Sequence, residues 1–167
     1  MYCFQNDQSD LQGECADPLL ARLRAKLPRP LVFCSGVFDV LHAGHVSFLE
    51  QARRHGRSLV VGIHGDASAR RRSEGVGGPL NSAVNRARVV GSMASVTTVV
   101  LFDDDRPLAL LRSLAPEFHV AATADLAAVA VMAGWGGQSV IVPRTPGLSS
   151  SAILARLMRG HDKTMAA

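Results

Sequence analysis

Residues 31 to 45, LVFCSGVFDVLHAGH, leave this chain few folds to adopt. Leu31, Val32 and Phe33 follow Pro28 and Pro30 as an unbroken apolar run, the pattern of a strand buried on both faces in a parallel sheet. The chain must turn straight afterwards. Gly36 is expected to make that turn, because it accepts positive φ and puts no side chain between the backbone and a ligand. His42 and His45 lie three apart, so a helix beginning near Ala43 or Gly44 would direct both imidazoles from its first turn toward one spot. Backbone N–H groups, the positive end of the helix dipole and two imidazole donors make such a spot a polyphosphate site. A bare His-x-x-His is more often a polar helix face. The strand, Gly36, Phe38 and Asp39 ahead of this pair favour the anion site.

The rest of the chain alternates in the same way. Leu19 to Leu27 repeats leucine at helical spacing, and Leu59 to Ile63 is a second apolar strand. A helix follows from about Ala83 to Met93, capped by Asn81 or Ser82, then a β-branched strand from Val96 to Phe102. The pattern continues as helix Pro107 to Leu114, strand Phe118 to Ala121, helix Leu126 to Ala133, strand Ser139 to Val142 and helix Ser150 to Arg159. Strands alternating with helices predict a Rossmann-like, doubly wound, five-stranded parallel sheet with helices on both faces and right-handed crossovers. Ligands of such sheets bind beyond the carboxyl ends of the strands. Residues 1–24 read as a partly mobile N-terminal extension, 25–160 as the domain and 161–167 as a tail.

Length and composition narrow the function. The 167 residues are 47% hydrophobic, enough for one domain with its own core. The apolar stretch Leu126 to Trp135 is too short, and too broken by Gly134, to span a bilayer, and the N-terminus lacks a basic-then-apolar signal, so a cytoplasmic protein without membrane partners is expected. Cys3, Cys15 and Cys34 are odd in number and widely spaced, which argues against a disulfide framework or a structural metal. The net charge of +4 is dispersed and accompanied by few aromatics, which argues against nucleic acid. The one dense basic run, Arg70 to Arg72, is read as part of a loop after the second strand; a solvated face and a phosphate clamp are equal alternatives for it. Residues 73–81, SEGVGGPLN, read as a Gly-rich loop or lid without the Lys-Ser or Lys-Thr of a Walker loop. Asp103 to Asp105 read as a cap and solvated turn rather than a metal site, because Pro107 starts the next helix.

A second motif, RTPGLSSS at 144–151, stands between the last strand and the last helix. Arg144 offers a bidentate phosphate donor, Gly147 permits a tight turn, and Ser149, Ser150 and Ser151 bring hydroxyl and N–H groups to a helix start. GVFDVLHAGH at 36–45 resembles the GxFDxxHxGH signature of small nucleotidyltransferases that join a nucleoside triphosphate to a phosphorylated small molecule. RTPGLSSS is similar to their RTxGxSTT segment, with serines in place of the threonines. The resemblance covers about residues 25 to 160 and is closest to the heptose-1-phosphate adenylyltransferases, with glycerol-3-phosphate cytidylyltransferase more distant.

The resemblance implies phosphate contacts for His42, His45 and Arg144, the residues expected to carry catalysis. It implies nucleotide contacts at Gly36, at the backbone of Val37 and Phe38, and at Thr145, Gly147, Ser149, Ser150 and Ser151. NSAVNR at 81–86 looks like the segment whose arginine faces the substrates, so Arg86 joins Asp39, Arg70 and Arg71 as expected contacts of the acceptor and its phosphate. It further implies magnesium carried by the triphosphate, a homodimer, and a sugar kinase on a separate chain. There are departures: His64 stands where an Asn is usual, and AATADL from Ala121 lacks the Lys, glycines and Tyr of a Lys-Gly-Gly-Asp-Tyr stretch. The implied activity is transfer of AMP from ATP to a sugar 1-phosphate with release of pyrophosphate. Two alternatives stay open: a cytidylyltransferase acting on a polyol phosphate such as glycerol 3-phosphate, and a non-catalytic nucleotide-binding protein that has lost its acceptor site.

Overall fold

The computed structural model describes residues 3–5, 16–72, 78–143, 145, 147, 148, 150, 153 and 156. Its elements are β1 (Cys3–Gln5), α1 (Ala16–Lys26), β2 (Leu31–Gly36), α2 (Ala43–Arg53), β3 (Ser58–His64), α3 (Asp66–Arg72), α4 (Ala83–Gly91), β4 (Thr98–Phe102), α5 (Leu108–Leu114), β5 (Phe118–Ala121), α6 (Leu126–Ala133) and β6 (Gln138–Ile141). Ser150, Ile153 and Arg156 are helical, and the remainder of the helix expected over Ser150 to Arg159 lies outside the described residues.

One sheet runs in the order β1-β4-β3-β2-β5-β6. The five strands anticipated from the sequence pair in parallel. β2 lies between β3 and β5, so the chain reverses its direction of travel across the sheet there, and the crevice beyond the carboxyl end of β2 is the topological switch point, the place where sheets of this kind bind ligands. The extension reading of residues 1–24 needs two amendments: α1 begins at Ala16 and buries Leu19, Leu20 and Leu23 in the core, and Cys3–Gln5 forms β1, pairing antiparallel with β4 through Cys3↔Val100, Phe4↔Val99 and Gln5↔Thr98. Three residues of extended backbone suffice to cap an edge strand, and so short a segment leaves no periodicity to read.

Side chains alternate along each strand to build a core on both faces. Val32, Cys34, Val61, Ile63, Val99 and Val120 face α2 and α4, where they meet Leu49, Ala52, Ala87 and Val90. Leu31, Phe33, Val60, Val100 and Phe102 face the other layer and meet Leu19, Leu20 and Leu23 of α1, Leu110, Leu111 and Leu114 of α5, and Met132 of α6. Leu49 is fully buried. Burying a leucine contributes about 2 kcal/mol, so α2 is fixed on the sheet and its first turn is held over the switch point.

Arg70 to Arg72 belong to a helix, not to the loop expected after the second strand. The segment DASARRR joins an acid at the favoured N-terminal end to alanine and arginine, both good helix formers, with the basic residues at the C-terminal end where the dipole accepts them.

Candidate active site

The signature turn is built differently from the expectation. The positive φ falls on Phe38, at 53°, and Gly36 is the last residue of β2. Gly36 is needed for space instead: a Cβ there would stand 2.8 Å from Cε2 of Phe38. The Phe38 ring folds back over Gly36, is buried, and approaches the ring of His45 with centroids 5.3 Å apart.

His42 is the N-cap of α2, with φ −147° and ψ 169°, and its Nδ1 accepts the Gly44 N–H at 3.1 Å. That bond places the lone pair on Nδ1 and leaves the proton on Nε2 of the neutral ring. The His42 carbonyl accepts from the His45 N–H at 2.9 Å. The two imidazoles stack with centroids 4.0 Å apart at an interplanar angle of 26°. Two of the amides at the helix start are thereby used internally, and the imidazole edges take over from them as donors. A Cβ on Gly44 would lie 2.9 Å from Nδ1 and Cε1 of His42 and 3.3 Å from Cβ of Leu148. Glycine at this position therefore lets the His42 ring lie across the helix start beneath Leu148.

The second motif meets the first here. Thr145, Gly147 and Leu148 form a turn in which the Leu148 N–H donates to the Thr145 carbonyl at 3.3 Å and Gly147 takes φ +72°. The Ser150 hydroxyl donates to the Val40 carbonyl at 3.0 Å, across 110 positions of sequence. Arg144, Ser149 and Ser151 lie outside the described residues.

The residues expected to contact the acceptor divide. Arg86 does not face an open site: its side chain is 0% exposed and donates to Asn81 O at 3.0 Å, Val37 O at 2.6 Å and Asp66 Oδ1 at 2.8 Å. The apolar layer of α4 carries it inward with Ala83, Ala87 and Val90, and three acceptors meet its fork there. Asp39 accepts from the Leu80 N–H at 2.7 Å on Oδ2, and from the Asn81 N–H at 2.8 Å and the Asn81 side chain at 3.1 Å on Oδ1. Arg71 is ion-paired to Asp105 at 2.8 Å and donates to the Asp103 carbonyl, while Arg72 donates to the Asp105 carbonyl. Both tie α3 to the acidic turn, so the turn is more than a solvated cap, and Pro107 stands at the N-cap of α5 without a side-chain cap bond. Arg70 is exposed and lies over Gly78, where a Cβ would be 2.6 Å from its Cγ.

Two residues without an assigned role prove structural. Asp66 accepts the Ala83 N–H at 2.8 Å as well as Arg86; an acid opening a short helix after a strand is the only local signal for it. His64 is buried at the end of β3 with Nδ1 3.2 Å from Ser68 Oγ and its ring 4.4 Å from that of Phe102. Burial first, then the charges of Arg72 and Arg86, pull its pKa down to about 4, so it is neutral at physiological pH. Among the described residues no group of three or more His, Cys, Asp or Glu is placed to hold a metal ion, and no helix is long and apolar enough to cross a membrane.

A Rossmann-like sheet with stacked imidazoles at a helix start beyond its carboxyl edge, met by a hydroxyl-bearing loop, defines a nucleotide-binding α/β protein of the nucleotidyltransferase class. The chain belongs to the cytidylyltransferase-like family, whose model matches residues 33–156. It is 44% identical over 146 residues to the bifunctional protein HldE of Streptomyces coelicolor, an alignment covering 85% of this chain and 31% of that one. It is 37% identical over 149 residues to the D-beta-D-heptose 1-phosphate adenylyltransferase of Bordetella bronchiseptica, covering 87% of this chain and 92% of that one. The chain thus spans about a third of the bifunctional relative and nearly all of the Bordetella one. The fold is shared with the crystal structure of a lipopolysaccharide core biosynthesis protein from Thermoplasma volcanium, at a TM-score of 0.58 and 23% identity over 69% of this chain and 95% of that one.

Proposed function

We propose that the protein transfers AMP from ATP to a heptose 1-phosphate-like sugar phosphate and releases pyrophosphate. The observation that carries the reading is the stacked His42–His45 pair at the start of α2, with the second motif docked on it through Ser150 and Val40. The name of the Bordetella relative, a D-beta-D-heptose 1-phosphate adenylyltransferase, supports the choice of base and acceptor. In this reading the acceptor phosphate oxygen attacks the α-phosphorus in line, the bond to the bridging oxygen breaks, and that oxygen leaves with pyrophosphate. An ionised phosphate needs no protein nucleophile, so the protein's part is positioning and charge stabilisation. His42 donates from Nε2, the tautomer its cap selects, toward the charge that builds on the bridging oxygen, and His45 does so beside it. Arg144 holds the phosphates from the second motif. Gly36, Val37, Phe38, Thr145, Gly147, Ser149, Ser150 and Ser151 line the nucleotide. Arg70, free of ion pairs among the described residues, is the side chain of the basic run best suited to the acceptor phosphate.

When bound, magnesium would be held by the triphosphate's own oxygens and would supply charge neutralisation there. This fits a site in which the nearest carboxylate of the signature, Asp39, is committed to backbone N–H groups. The reading also includes a cytoplasmic location, a homodimer and a kinase on a separate chain that supplies the sugar phosphate. Pyrophosphate release is to be measured with ATP, CTP, GTP and UTP against heptose 1-phosphate and glycerol 3-phosphate. Turnover confined to ATP with heptose 1-phosphate is expected. CTP with glycerol 3-phosphate as the preferred pair would overturn the choice of substrates, and tight ATP binding with no turnover on any acceptor would make the protein a nucleotide binder.

A further inference from the structure

A closed circuit of hydrogen bonds spans the one residue of the signature in a strained conformation. Phe38 is bulky and not glycine, yet its φ is 53°, a region that a residue of this kind occupies only when its neighbours enforce it. On its N-terminal side, the Val37 carbonyl is held by Arg86 at 2.6 Å. On its C-terminal side, Asp39 is held by Leu80 and Asn81 through both carboxylate oxygens, and its carbonyl accepts from the Asn81 side chain at 3.3 Å. Asn81 closes the circuit, because its own carbonyl accepts Arg86 Nε at 3.0 Å. Asp66 braces the far end of the guanidinium and takes the first N–H of α4. The ring of Phe38 then packs against His45, which stacks on His42.

We infer that Arg86 and Asp39 are positioning residues, which clamp Phe38 in its left-handed conformation and through its ring aim His45. The inference rests on the proposed role of His45 at the triphosphate, and it removes Arg86 and Asp39 from the set of substrate ligands. It also gives residues 78–82 a function: this loop is the second jaw of the clamp.

The test uses the full chain with Asp39→Asn, and with Arg86→Lys as a companion. Asn at 39 has one acceptor oxygen for two backbone N–H groups and lies at the half-buried surface, so the core is untouched. Two readouts are taken. In the protein without ligand, the ring resonances of His45 are expected to shift, because the ring current of Phe38 moves relative to them. In turnover, kcat is expected to fall by about a hundredfold, the cost of a small misplacement of a reacting group, while KM for the acceptor stays constant. Unmoved His45 resonances with unchanged kcat in Asp39→Asn would overturn the inference even if Arg86→Lys fails to fold. A raised acceptor KM at constant kcat would also overturn it, by making these residues ligands. If the wild type turns over no substrate, the proposed function fails, and the His45 resonances still decide the clamp.

Discussion

Replacing Gly44 by Ala separates stability from chemistry in this site. The added Cβ would stand 2.9 Å from Nδ1 and Cε1 of His42, closer than side-chain carbons come in folded proteins, and 3.3 Å from Leu148. The His42 ring is the movable party, so it swings away and its bond to the Gly44 N–H breaks. Loss of an N-cap costs about 1 kcal/mol. Alanine is better than glycine in a helix by about the same amount, so the two effects nearly cancel. Net stability should change by no more than about 1 kcal/mol, equivalent to roughly 2–4 °C in Tm for a chain of this size. Catalysis has no such compensation, because His42 is then neither fixed as the Nε2–H tautomer nor aimed. Removing one preorganised donor costs about 10²–10³ in kcat, or roughly 2.7–4 kcal/mol of transition-state stabilisation. Calorimetric Tm and steady-state kcat measured on the same preparation check this. Wild-type kcat in Gly44→Ala would refute the assignment of His42 as a capped donor, and a fall in Tm of the size of a core cavity would refute the claim that the ring yields without the fold.

His45→Ala should lower kcat by about 10²–10³ with a near-native circular dichroism spectrum; a fully active variant contradicts its role. His64 has its folded pKa depressed by burial and by Arg72 and Arg86 to about 4, so the unfolded chain binds the extra proton between about pH 6.5 and 4. Stability should therefore fall as pH drops through that window, by about 3 kcal/mol at roughly 1.4 kcal/mol per pKa unit, and urea midpoints of His64→Asn should lose most of that dependence. Glu117 accepts Arg29 at 2.7 Å and the Leu31 N–H at 2.6 Å. Burial alone would raise its pKa, but those bonds outweigh it and hold the carboxyl below the ordinary range. Its contribution is therefore present above about pH 4.3, the unfolded glutamate value, and is lost as pH falls. With both partners partly solvated, Glu117→Gln should cost about 1 kcal/mol at pH 7 and progressively less as pH falls through the lowered folded value, as read from urea midpoints.

The parallel sheet was legible because each strand is a short apolar run and each helix carries a leucine or alanine stripe, so Leu31, Phe118 and Leu126 open elements where their patterns begin. The His42–His45 pair was legible because spacing on a helix start fixes geometry locally. Arg86 and Asp39 were not: a charged residue looks the same in sequence whether it faces a substrate or closes a circuit with backbone groups 40 or more positions away, a carbonyl for Arg86 and N–H groups for Asp39. The positive φ at Phe38 was hidden for a related reason. Glycine is the residue that local rules nominate, but the positive φ falls two residues further on, between Val37 and Asp39, which tertiary bonds hold on either side. The sequence leaves Arg71 and Arg72 as ligand contacts or solvated charges because Asp105, the partner that occupies them, comes from the turn after β4, more than 30 positions away.

The most direct test of nucleotidyl transfer is a ³¹P NMR time course with Mg²⁺, ATP and heptose 1-phosphate. Two coupled diphosphate doublets of a nucleotide sugar should grow together with the pyrophosphate singlet in equal molar amounts, at a rate lowered by about 10²–10³ in His45→Ala. Formation of ADP and orthophosphate in their place, or no loss of ATP while it remains bound, would contradict the account.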